Sequence, residues 1–95
     1  QNHTTDEGGY TMIRGGTVTG MSVYCKNDWD SDFNFYIYKN GVSAGTMTMT
    51  SGNNYARKDD FAISFVAGNY INAFMKAPGG SGTVVKIAVL VEIVT

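Results

Sequence analysis

The chain has 95 residues, 43% of them hydrophobic, and a formal net charge of -1. That length is enough for one domain with a modest core and not for two. Its seven basic side chains are scattered, so the basic footprint that nucleic-acid binding needs is missing, and no apolar run approaches the roughly 20 residues of a membrane span.

Twelve glycines, one proline and many aromatic and β-branched residues suit short strands joined by glycine turns. The opening QNHTTDEGG is polar and begins with Gln1 rather than Met. It reads as the end of a linker or stalk, residues 1–9, on a chain that is processed or cut from a longer one. The domain is expected over residues 10–95.

Period-2 alternation marks the strands. Tyr10 to Arg14 is a short opening strand, broken by Gly15-Gly16. Thr17 to Lys26 follows, with Met21, Val23 and Cys25 on one face and Gly20, Ser22 and Tyr24 on the other. Asp32 to Lys39 sets Phe33, Phe35 and Ile37 against Asn34, Tyr36 and Tyr38. Asn40-Gly41 suits the positive φ angles of a type I′ hairpin turn into Val42 to Thr50. There Met47 and Met49 oppose Thr46, Thr48 and Thr50.

Ser51 to Asp60 is polar and turn-rich. Phe61, Ile63 and Phe65 make the next alternating face, and Ala67-Gly68-Asn69 turns the chain into Tyr70 to Ala77. Pro78 to Gly82 reads as a mobile glycine loop. In the last strand, Thr83 to Val94, the alternation puts Val85, Ile87, Val89, Val91 and Ile93 on one side. About seven strands with turns every 8 to 12 residues predict an all-β fold, a single antiparallel β-sandwich of the jelly-roll kind.

Catalytic chemistry is missing. The single His, His3, lies in the polar tail, so no base stands beside a nucleophile. One Cys and one His cannot make a zinc cluster, and one Cys cannot form an internal disulfide. Cys25, in an alternating apolar run, reads as a small core residue in a chain with no disulfide scaffold. No phosphate loop or dinucleotide fingerprint is present. The expectation is a non-enzyme with no cofactor.

Binding chemistry is better represented. Asp28, Trp29 and Asp30 combine an aromatic face with carboxylates, which suits stacking on a sugar ring and accepting hydroxyl hydrogen bonds; the competing reading is that Trp29 folds back as a core plug. Asp28, Asp30 and Asp32 open like a calcium loop, but Phe33 and Lys39 stand where that motif needs Gly and Glu. Tyr55 and Arg57 sit in a mixed polar segment of contact-loop composition. Tyr36, Tyr38, Phe74 and Leu90 lie on second faces of their strands, where apolar residues mark an oligomer interface or tuck into the sandwich edges.

Four segments taken together, Gly16 to Tyr24, Ile37 to Gly41 (IYKNG), Phe65 to Ile71 (FVAGNYI) and Val84 to Ile93, follow one another in this order. They resemble the small β-sandwich domains of bacteriophage virion proteins found at fibre tips, on tails and on capsid surfaces. Asn69 departs from the Asp common at its position in that pattern, and the Trp29 loop matches none of it.

The resemblance implies a virion structural or adhesion module, either a fibre head or a capsid decoration. Such a module is assembled in the host cytoplasm and then displayed outside as a homotrimer among other virion proteins, touching a host-surface glycan or protein without inserting in the membrane. Two other readings share the fold: a carbohydrate-binding module of a larger secreted protein, and an architectural cement protein with no ligand.

Overall fold

The computed structural model describes residues 2–4, 10–76 and 79–95. Among these, nine strands and no helix appear: β1 (Asn2–Thr4), β2 (Tyr10–Thr11), β3 (Gly16–Asn27), β4 (Phe33–Lys39), β5 (Val42–Met49), β6 (Tyr55–Lys58), β7 (Ile63–Phe65), β8 (Tyr70–Lys76) and β9 (Val84–Val94). They make two antiparallel sheets packed face to face, the expected β-sandwich. Sheet A runs β1-β8-β4-β5, with β2 also on β8. Sheet B is built on β3, which pairs with β6 and β7 on one side and β9 on the other.

The alternating patterns place the core as anticipated. Val18, Met21, Val23 and Cys25 of β3 face Phe33, Phe35, Ile37, Met47, Met49, Ile71 and Met75 of sheet A, with Ile63 and Phe65 of β7 closing one end. Val18 and Met21 share the inner face although three positions apart, because the register of β3 against β9 shifts between Val18 and Gly20. Such a bulge adds one residue and resets the alternation. Cys25 is fully buried, and burial pushes its thiol up from the usual value.

The Asn40-Gly41 turn has φ of 52° and 82°, the positive pair that a type I′ hairpin demands. Asn40 also ties the hairpin to β8, accepting from Tyr70 N–H at 2.8 Å through Oδ1 and donating its own N–H to Tyr70 O at 2.8 Å. At the next turn Asn69 Oδ1 accepts from Val66 N–H at 2.8 Å. That is an acceptor role an Asp carboxylate fills equally well.

Four local expectations are corrected. Arg14 lies outside the opening strand, which is only Tyr10–Thr11. The segment Ser51 to Asp60 contains a strand, β6, where turns were expected. Its four residues are too short and too charged to show a period, and pairing with the edge of β3 makes them extended. In β9, Val85 does not share a face with Ile87 and Val89. Lys86 takes φ 56° in a bulge, which pairs Val85 with Lys26 and turns Val84 toward the core instead. The glycine loop, described from Gly79 onward, is packed rather than free, as shown below. At the amino end, Asn2–Thr4 of the stretch expected as a stalk pairs with β8, while residues 5–9 lie outside the described residues.

Candidate functional site

The Trp29 loop leads from β3 to β4; the side chains of Trp29, Asp30 and Asp32 bond within the chain, while Asp28 is exposed. Trp29 is half-buried against the core. Its indole Nε1–H donates to Gly79 O at 2.8 Å, and its backbone N–H donates to Asn27 Oδ1 at 2.9 Å. Asp30 Oδ1 accepts from Ser81 N–H at 2.8 Å, and Asp30 Oδ2 accepts from Ser81 Oγ at 3.2 Å. The Ser81 amide, then the hydroxyls of Ser81 and Ser31, hold the Asp30 carboxyl below its ordinary value. Backbone bonds from Asp28 N–H to Thr83 O and from Asp30 N–H to Ser81 O complete the clasp.

Two glycines make that closeness feasible. A Cβ on Gly82, at φ 127°, would overlap the Asp28 carbonyl oxygen, and one on Gly80, at φ 105°, would fall 2.5 Å from Asp30 Oδ1. Both angles lie where L side chains are strained. The loop expected to be mobile is therefore one half of an interlocked pair.

Asp28, Asp30 and Asp32 do not converge. Asp32 Oδ1 accepts from Ser51 N–H at 2.8 Å while Asp30 serves Ser81. Among the described residues no three His, Cys, Asp or Glu side chains come close enough to hold a metal ion.

The four second-face residues split between the two sides of the sandwich. Tyr36, Tyr38 and Phe74 lie together on the outer face of sheet A. Phe74 stacks on Tyr36 at 5.4 Å between ring centroids and meets Tyr38 edge-on at 4.4 Å. Each ring covers its neighbours, so all three are half-buried. Thr48 Oγ1 donates to Asn34 Oδ1 at 2.9 Å on the same face.

Leu90 stands on the outer face of sheet B, where the structure joins it to Tyr55 and Arg57. Register explains the meeting. Tyr24 pairs with Tyr55 on one side and Ala88 on the other, while Ser22 pairs with Arg57 and Leu90. Directly opposed residues of an antiparallel pair share a face, so two rows run across the sheet: Tyr55-Tyr24-Ala88 and Arg57-Ser22-Leu90. Tyr24, Tyr55 and Leu90 are 58, 66 and 68% exposed. They line an open groove of about 340 Å³ with Arg57.

A second hollow, about 150 Å³, continues past Arg57 and Leu90 to Lys58, Asp59 and Glu92. One end of the face is thus aromatic and apolar and the other carries charges of both signs. The sequence sets Tyr55 and Arg57 in one mixed polar segment and Leu90 apart from them on a second strand face. Tyr24 reads from the sequence as a further second-face apolar residue, of the interface kind, and its place in the groove beside Tyr55 and Arg57 follows from pairings that no local pattern encodes.

Comparison with protein families, with curated proteins and with solved structures finds no match to this chain. No helix of the described residues is long and apolar enough to cross a membrane.

Proposed function

We propose that the chain is a non-catalytic attachment module of a virion surface, which holds a host-surface glycan on the outer face of sheet B. The observation that supports this most is the gathering of Tyr24, Tyr55, Arg57 and Leu90 around one exposed groove. Aromatic rings and Arg are the side chains that contact surfaces favour. A tyrosine face stacks on a sugar ring, and a guanidinium donates to hydroxyl or carboxylate oxygens. Strands hold these groups more firmly than a loop would. The virion setting rests on the ordered motifs from Gly16 to Ile93.

Contacts over so shallow a surface are individually weak and gain strength from many displayed copies. The Trp29 loop takes a supporting part in this reading, since Trp29 and Asp30 already bond within the fold. The same internal bonding favours the architectural reading, a cement protein with no ligand, as the second candidate.

The test is an array of bacterial surface polysaccharides probed with the chain displayed in multiple copies on a carrier. At least one polysaccharide should bind. Tyr55→Ala and Arg57→Ala should each weaken that binding at least about tenfold, as contact-centre truncations do, and Tyr36→Ala on the opposite sheet should not. No binding at any polysaccharide, or equal loss with Tyr36→Ala, would leave the architectural reading standing.

A further inference from the structure

We propose that two copies of the chain pair edge to edge through β9, antiparallel, about a two-fold axis at Val89.

Among the described residues β9 pairs with β3 alone. Its other edge presents backbone N–H and C=O groups without a ladder partner among the described residues. Such edges are usually short, charged or covered, because they recruit other strands. This one is 11 residues long and apolar throughout except at Lys86 and Glu92.

Its inner face is also unfinished. Val89 pairs with Val23 and Ile93 with Val18, so these side chains point toward the opposing sheet. Yet Val89 is 41% exposed and Ile93 39%, against 2% for Val23 and 0% for Val18. Sheet A does not cover the sandwich on this side.

The two charges select the occupant. They lie three residues either side of Val89. An antiparallel pairing centred on Val89 therefore sets Lys86 of each copy opposite Glu92 of the other, and opposite charges across a strand pair attract. Every nearer pair is apolar: Val89 meets Val89, Ile87 meets Val91 and Ala88 meets Leu90. Each of these joins like face to like face, inner to inner and outer to outer. Any other antiparallel two-fold register sets a charge opposite an apolar residue or opposite its own copy in the second chain. A parallel in-register pairing would set Lys86 on Lys86.

A two-fold contact of one surface with itself is the commonest form of assembly. The bulge at Lys86 (φ 56°) ends the regular edge there, and the flexible lysine stem spans the remaining gap. Pairing would also carry the row Tyr55-Tyr24-Ala88 on to Leu90 of the second copy, joining the two outer faces. The inference stands on β9 and not on the virion reading.

The test is mass in solution, by sedimentation equilibrium and native mass spectrometry, of the 95-residue chain and three variants. The chain itself should form a species of twice 10.3 kDa. Lys86→Glu and Glu92→Lys each place like charges in contact twice per dimer, and each should raise the dissociation constant at least about tenfold. The double variant Lys86→Glu, Glu92→Lys restores both pairs and should return the constant to within about threefold of the parent. Circular dichroism checks that the variants fold.

Should a variant fail to fold, amide exchange of the parent chain serves instead, with amides of Ile87 to Val91 gaining protection as concentration rises. A monomer up to about millimolar concentration, a trimer, single variants that associate like the parent, or a double variant that stays dissociated would each overturn the proposal. A dimer that binds no polysaccharide would overturn only the glycan reading.

Discussion

The indole N–H of Trp29 donates to the carbonyl of Gly79 at 2.8 Å, across 50 positions of sequence. That bond joins the loop between β3 and β4 to the loop between β8 and β9. It makes the chain's single tryptophan a clasp at one end of the sandwich.

Trp29→Ala should therefore cost stability. The ring is half-buried, so the loss is about 2 kcal/mol, below the 3–5 typical of a fully buried Trp. Trp29→Phe keeps most of the apolar contact and gives up one hydrogen bond, about 1 kcal/mol. Urea denaturation of both variants measures this. Unchanged stability in Trp29→Ala would return the residue to the list of ligand contacts.

Gly82→Ala should be worse than its single methyl suggests. The new Cβ meets the Asp28 carbonyl oxygen on a backbone held at φ 127°. With strain and overlap together the cost should exceed about 2 kcal/mol. The same substitution at Gly79, where nothing lies within 4 Å, should fall within about 0.5 kcal/mol of the parent. Thermal unfolding of the pair separates a packed loop from a free one.

The clasp should survive mild acid. Bonds from the Ser81 amide and hydroxyls hold the Asp30 carboxyl below its ordinary value. A lowered folded value means that the stabilising contribution is fully present above the unfolded value, near 3.9, and is lost as pH falls through the folded one. Trp29 fluorescence should stay flat from neutral pH down to about 5 and change only below about 4. A transition between pH 5 and 7 would contradict this origin.

Cys25 should be inert in the folded protein. Its side chain is fully buried and burial raises its thiol pKa, so little thiolate is available to react. A thiol reagent at pH 8 should label it only at the rate of unfolding and at once in denaturant. Rapid labelling of the native chain would show that β3 opens locally.

Much of this architecture is determined within short stretches of sequence. Phe33, Phe35 and Ile37 alternate with polar or aromatic partners, and Asn40-Gly41 supplies the positive φ pair. Both signals act between near neighbours, so strand faces and the hairpin follow without knowledge of the rest. The all-β class follows in turn.

Other features depend on which strands meet. The strand Tyr55–Lys58 exists because β3 offers it an edge. Val84 rather than Val85 turns inward because Lys86 bulges. Trp29 closes on a loop that lies 50 positions away. Above all, Tyr55, Arg57 and Leu90 become one surface only because β6 and β9 flank β3 on its two sides. Local propensity and period carry no information about such distant pairings. Burial of the shared core and the completion of backbone ladders decide them.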